Sequence, residues 1–258
     1  KTTVNWLVDF LVTLICWGYF IFAFLFFFSF FYLVSYLFSA DKERSFQSLN
    51  CRFFRGFLAL LRILAPSYTW TVDPSISDIR GSIIVCNHLS YLDPLLFLSL
   101  FQKNKTIVKT KFFSAPVFGW IIAASGYLPA TTEGIHAGKM IAQVERMEAF
   151  FASGGNLFVF PEGTRNRTAS VDALHKGVFK IARMAKCPIQ VLRLSGTDKL
   201  FTPGTFLFNT RLNNCIRLQF VETIPLGPKK EKVSVTNLEE KVRNAFQQPK
   251  TAMKDSSA

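Results

Sequence analysis

The sequence predicts an α/β domain held at a membrane by its N-terminal segment. Three observations lead there. Residues 10–40 form a 31-residue stretch with no charged side chain, short apolar runs alternate with helical stretches from residue 66 to 228, and 258 residues carry a net charge of +13.

As one straight helix the uncharged stretch would reach roughly 46 Å, against a bilayer hydrocarbon core of about 30 Å. It is therefore expected either to form one membrane helix that tilts or runs into the interface, or to break near Gly18 or Ser29 into a helical hairpin. The stretch is apolar on every face, which a soluble core helix has no use for. It is also too long for a signal-peptide core and lacks a cleavage pattern, so it is expected to stay attached. Lys42, Arg44, Arg52, Arg55 and Arg62 follow it while Lys1 and Asp9 precede it, which by the positive-inside rule puts the bulk of the chain on the cytoplasmic face. Across 51–64, Arg52, Arg55 and Arg62 recur on one helical face, and Phe53, Phe54, Phe57, Leu58, Leu61 and Leu64 fill much of the rest. That pattern predicts a basic amphipathic helix lying in the membrane interface, the alternative being a helix packed on the globular domain. Residues 1–65 are thus read as the anchoring part.

Pro66 opens the α/β part, residues 66–228. Strands are expected at 69–72, 82–86, 106–109, 127–130, 156–160, 189–194 and 215–221, with helices at 94–101, 138–153 and 176–186. Residues 229–258 read as a basic, solvated tail with a short helix near 238–247. Five cysteines at 16, 51, 86, 187 and 215 form no C-x-x-C and have no ligand-like spacing to a histidine, so neither a disulfide framework nor a metal site is indicated. The basic balance suits an anionic bilayer or an acidic carrier; with the Phe-rich stretch pointing to lipid, no nucleic-acid partner is expected.

The apolar run SIIVC stops at Asn87-His88-Leu89-Ser90-Tyr91-Leu92-Asp93-Pro94, placing a histidine at the carboxyl end of a strand, where open α/β sheets form their crevices. A helix begun after Ser90 would bring the Asp93 carboxylate back to His88 Nδ1–H, leaving Nε2 as a base able to activate an acceptor hydroxyl. By itself the same pair also serves as a turn and a helix cap. A second strand end carries Phe160-Pro161-Glu162-Gly163-Thr164-Arg165, in which a glycine turn would expose N–H groups, Glu162 can accept from hydroxyls and Arg165 offers a planar fork for phosphate.

Taken together, these residues resemble the glycerophospholipid acyltransferase family, which includes the 1-acylglycerol-3-phosphate acyltransferases. NHLSYLDP is similar to its first motif and FPEGTR to its third; KTKFFSAPVFGW with Gly126, and LHKGVFKIARMAKCPI, resemble the surroundings of the second and the sequel of the third. The resemblance covers about residues 66 to 228 and implies an acyltransferase-type mixed sheet flanked by helices. It implies His88 as general base with Asp93 orienting it, and Glu162, Gly163, Thr164 and Arg165 in acceptor recognition with Lys109 adding charge. It also implies acyl-CoA or acyl carrier protein as donor, a lysophospholipid as acceptor, and no cofactor or metal.

The chain departs from the family pattern twice. Gly126-Tyr127-Leu128-Pro129-Ala130-Thr131-Thr132 lacks the arginine that usually closes the second motif, and Val191 stands where the fourth motif usually has a second proline. The expected acceptor is 1-acylglycerol-3-phosphate, with another lysophospholipid or a lyso-aminolipid as the alternative that the missing guanidinium favours. Two rivals are a non-catalytic lipid-binding protein of this fold and a hydrolase using Cys86 or Ser90, the latter lacking G-x-S-x-G.

Overall fold

The structure is a computed structural model that describes residues 3–131, 133–134, 137–163, 165, 174–226 and 234–247. In chain order its elements are α1 (Thr3–Phe38), α2 (Lys42–Leu64), β1 (Tyr68–Val72), β2 (Ile83–Cys86), α3 (Leu92–Leu100), β3 (Asn104–Val108), α4 (Phe118–Ala124) and β4 (Leu128–Pro129). There follow α5 (Ala137–Glu145), α6 (Met147–Ala152), β5 (Asn156–Val159), α7 (Lys176–Ala185), β6 (Ile189–Ser195), α8 (Thr197–Leu200), β7 (Asn214–Ile224) and α9 (Val235–Gln247).

The seven strands form one mixed sheet in the order β1-β7-β6-β2-β5-β3-β4, parallel throughout except between β6 and β7. Strand β2 lies at its middle and is buried on both sides, which is why SIIVC reads as an unbroken apolar run rather than an alternating one. Successive side chains still part company: Ile84 and Cys86 enter the core shared with α2 and α3, while Ile83 and Val85 enter the core under α6, α7 and α9.

The N-terminal stretch is a single helix of 36 residues, π-helical over Tyr19–Phe28. It does not break at Gly18 or Ser29, both of which keep helical angles (φ −56° and −55°). The chain reverses only past Phe38, where Asp41 accepts from Arg44 N–H at 3.0 Å and starts α2 back along α1. Both ends of α1 touch the α/β domain. Near its start, Asp9 is fully buried and accepts from Thr210 N–H and Thr210 Oγ1, both at 2.8 Å, and Thr13 Oγ1 accepts from Phe208 N–H at 3.0 Å. Near its end, Tyr36 packs on Trp120, ring centroids 5.3 Å apart.

The expectation for α2 is corrected. Its apolar face does not meet lipid: Phe53, Phe54, Phe57, Leu58 and Leu61 are buried between α1 and the sheet, each worth about 1.5–3 kcal/mol on leaving water. Its arginines turn partly to the protein as well, since Arg55 donates to the carbonyls of Ser99 (2.7 Å) and Leu100 (3.2 Å) at the end of α3, and Arg62 stands over Trp70 at 5.1 Å. The solvated tail is corrected too. Leu238, Val242 and Ala245 of α9 are wholly buried against the sheet, and Arg193 donates to the Ala245 and Phe246 carbonyls at its end, so the domain runs on to Gln247. The helix expected at 138–153 is two, parted at Arg146.

A buried polar chain ties α2 to the turn after α4. Tyr32 OH donates to Asn50 Oδ1 (2.6 Å), Asn50 Nδ2 to Ser125 Oγ (2.8 Å) and Tyr127 OH (2.9 Å), and Gln47 Nε2 to the Ser125 carbonyl (2.9 Å). At its far end the fully buried Lys105 pairs with Glu43 at 2.8 Å and donates to Gln143 Oε1 at 2.7 Å. Glu43→Ala strands that ammonium and is expected to cost about 2–3 kcal/mol, whereas Lys105→Met, which removes charge and desolvation together, stays within about 1 kcal/mol of the parent. Thermal unfolding in detergent reads the difference; equal losses would refute it. Burial lowers the Lys105 pKa from its ordinary 10.5. Below that value the unfolded chain therefore binds more protons, so this site's contribution to stability rises with pH through that window, a rise the Lys105→Met variant lacks.

Candidate active site

Strands β2 and β5 are parallel neighbours, so the two motif-bearing loops leave the sheet side by side at one edge. Asn87, the first residue past β2, extends the ladder with its side chain: Nδ2 donates to the Leu194 carbonyl (2.9 Å) and Oδ1 accepts Leu194 N–H (2.8 Å). The backbone is thereby released from pairing just where it must turn. His88 follows, its ring stacked on Phe160 with centroids 4.2 Å apart and planes 17° apart.

The next residues wind into α3 around one carboxylate. Asp93 Oδ2 accepts Leu89 N–H (2.6 Å) and Ser90 N–H (2.8 Å) and lies 2.9 Å from His88 Nδ1; Oδ1 accepts Thr197 Oγ1 at 2.6 Å. Among the described residues every partner of this carboxylate is a donor, which in the neutral imidazole assigns the hydrogen to Nδ1 and the lone pair to Nε2. The pair is graded in exposure, the Asp93 side chain wholly buried and that of His88 16% exposed. Thr197 was not foreseen from the sequence. It opens α8 after β6, behind Gly196 at φ 86°, where a Cβ would strike the Cys215 carbonyl. A small residue and a hydroxyl directly after an apolar strand were the available signal.

The nucleophiles of a hydrolase are accounted for otherwise. Ser90 is buried, with Oγ donating to the Phe201 carbonyl (2.7 Å) and accepting Leu92 N–H (3.3 Å). Burial pushes the Cys86 thiol well above its ordinary pKa, and the Asp93 and Glu162 charges add to the shift, so it stays protonated and inert.

The second loop is only partly described, and Thr164 lies outside the described residues. Gly163 takes φ 66° against the His175 ring, which leaves no room for a Cβ. Arg165 lies over the Tyr91 ring, Cζ 3.5 Å from its centroid. Glu162 is half-buried nearby, its charge felt at Cys86. Lys109 stands exposed past the end of β3, a strand separated from β2 by β5. Among the described residues no three His, Cys, Asp or Glu side chains group to hold a metal ion.

Beside the histidine loop opens an apolar cavity of about 390 Å³. Its walls come from α1 (Cys16, Trp17, Phe20), from the start of α3 (Tyr91, Leu92, Leu95) and from the loop holding Phe201, Phe206 and Phe208. Trp17 and Phe206 stack across it with planes 4° apart.

Residues 72–195 match the Acyltransferase family model; this segment, just under half of the chain, carries both motif loops. The resemblance read from the motifs is thus upheld for that segment. A chloroplastic 1-acyl-sn-glycerol-3-phosphate acyltransferase of Brassica napus is 33% identical over 123 residues, 48% of this chain and 35% of its own length. The 1-acyl-sn-glycerol-3-phosphate acyltransferase of Saccharomyces cerevisiae is 31% identical over 134 residues, 49% of this chain and 43% of its own. The chain therefore spans less than half the length of these relatives. The crystal structure of the 1-acyl-sn-glycerophosphate acyltransferase of Thermotoga maritima superposes with a TM-score of 0.69 at 21% identity, covering 94% of this chain and 96% of that one, which shows a shared fold.

Thr197→Val removes one donor from the buried carboxylate and is expected to cost about 1.5–3 kcal/mol of stability. Kinetically it is expected to lower kcat about tenfold with substrate KM values unchanged, because it loosens the carboxylate that holds the His88 ring. Unchanged kcat in a folded Thr197→Val protein would separate Thr197 from the His88–Asp93 pair.

Proposed function

We propose that this chain is a membrane-held O-acyltransferase that moves a fatty acyl group from acyl-CoA or acyl carrier protein to the free hydroxyl of 1-acylglycerol-3-phosphate. The observation that carries the reading is the Asp93-clamped His88 beside an apolar cavity that begins within three residues of it. The acyl carbonyl under attack sits at the head of the donor's chain, so a cavity that starts at the base suits the donor. The acceptor's chain, by contrast, is set off from its reacting hydroxyl by the glycerol backbone.

In the reaction, Nε2 takes the hydroxyl proton while the oxygen bonds to the thioester carbon. The tetrahedral adduct collapses with cleavage of the C–S bond, and the imidazolium returns its proton to the leaving thiolate. Asp93 holds the ring and stabilises the imidazolium formed midway. Arg165, with Nη1 shielded and unpaired among the described residues, and Glu162 with Gly163 and Thr164 receive the acceptor head group, to which Lys109 adds charge. The net charge of +13 steers anionic donors.

Helix α1 anchors the domain to the membrane in this reading, which the exposure of residues such as Phe22, Phe26, Phe27 and Phe38 supports. Its contacts with the domain at both ends favour an anchor that lies along the membrane-facing side, with the catalytic domain on the cytoplasmic face as the basic residues after it indicate. A second acceptor reading follows from one observation. Thr131, in the stretch where the second motif usually has its arginine, spends its hydroxyl on Glu133 N–H at 3.1 Å, so a lysolipid of lower head-group charge becomes the competitor.

Purified protein given a thioester donor and a panel of lysolipids, read by product mass, tests the proposal. Acyl transfer is expected only with added lysolipid, and His88→Ala is expected to lower it by about 10²–10⁴-fold without unfolding the protein. Thioester loss without acceptor would indicate a hydrolase, and no loss at all a binding protein. Arg165→Ala is expected to raise the acceptor KM more than the donor KM; the reverse would reassign it to the donor.

A further inference from the structure

The ring of Tyr91 belongs to two places at once. It lines the apolar cavity, 5.8 Å from the Phe201 ring, and it lies under the Arg165 guanidinium with Cζ 3.5 Å from its centroid. At that separation guanidinium and ring are in van der Waals contact, so the ring sets the plane in which the arginine fork is presented. Arg165 Nη1 is shielded and has no hydrogen-bond partner among the described residues, which leaves the stack on Tyr91 as its observed support. The backbone of Tyr91 is fixed on both sides: Ser90 N–H donates to Asp93 and Leu92 N–H to Ser90 Oγ. The ring, by contrast, is half exposed and meets the Phe201 ring and the Arg165 guanidinium.

We propose that Tyr91 is a positioning residue that holds Arg165 for an anionic acceptor head group and couples that placement to the filling of the apolar cavity. The inference rests on the roles given above to Arg165 and the cavity. An acyl chain in the cavity packs on the ring and keeps it from swinging away from the guanidinium; a phosphate on Arg165 keeps the stack, and so the cavity wall, in place. By linkage each ligand then raises the affinity for the other by the same factor.

Binding without turnover tests this, using calorimetry on the full chain in detergent with 1-acylglycerol-3-phosphate and a non-cleavable thioether analogue of acyl-CoA. Wild type and Tyr91→Phe, which keeps the ring, are expected to bind the lysolipid several-fold more tightly when the thioether is present. Tyr91→Leu keeps an apolar wall and loses the platform. It is expected to bind the lysolipid about tenfold more weakly, to lose the coupling, and to bind the thioether within about twofold of wild type. In an Arg165→Ala background, Tyr91→Leu is expected to change lysolipid binding no further.

Wild-type-like lysolipid binding by Tyr91→Leu overturns the proposal. A loss of equal size without Arg165 does so too, since it would mark a damaged wall. A protein that shows the coupling yet transfers no acyl group supports the role of Tyr91 and refutes the transferase reading. Active wild type without coupling does the opposite.

Discussion

The site depends on one buried carboxylate. Asp93 has no access to water, and four donors converge on it: two backbone amides of its own turn, the imidazole of His88 and the hydroxyl of Thr197. An unpaired carboxylate at this depth would be prohibitively costly, so these partners are conditions for the charge to be there at all. Their arrangement also settles which imidazole nitrogen carries the hydrogen in the neutral ring. The turn after β2, the start of α3 and the start of α8 are all held by this one group, which makes the edge of the sheet rigid where the His88 ring sits.

Around that point the molecule divides its burial between two cores. On one face of the sheet, α6, α7 and α9 complete an ordinary α/β layer. On the other, α2 and α3 lie under α1, and the aromatic cluster of Tyr19, Phe20, Phe53 and Phe57 joins α1 to the domain. The polar chain from Tyr32 through Asn50 to Ser125 and Tyr127 crosses the same boundary. A hydrophobic contact alone tolerates sliding; hydrogen bonds among buried groups fix the register.

The parts legible in the sequence were those whose signal is local. Seven apolar runs announced seven strands, and H-x4-D after SIIVC announced the His88–Asp93 contact, because a strand end and one helical turn suffice to bring them together. Thr197 was hidden because it reaches Asp93 from 104 residues away in the chain, through the pairing of β6 with β2. The α2 face misled for a different reason. A stripe of Phe and Leu beside arginines satisfies a lipid surface and a protein core equally, and only the packing of α1 over it decides. Leu238, Val242 and Ala245 did carry helical spacing, but over so few residues that a docked helix and a solvated one read alike. Asp9, a lone acid at the start of an apolar run, gave no hint that its partner would be Thr210.

Cys16, Trp17 and Phe20 make α1 a wall of the cavity as well as the proposed anchor. The two roles cannot be traded separately. A chain shortened to begin at residue 42 would not be a soluble edition of the same protein: the cavity would stand open along one side, and Tyr19 and Phe20 would no longer cover Phe53 and Phe57. An unrelated hydrophobic helix in place of α1 would restore attachment while leaving Thr210 without its carboxylate and the chain-binding space without its floor. On the proposed function, lipid attachment and substrate fit are therefore written into one helix, and adaptation of this protein to a bilayer of different thickness would be limited by what its active site can tolerate.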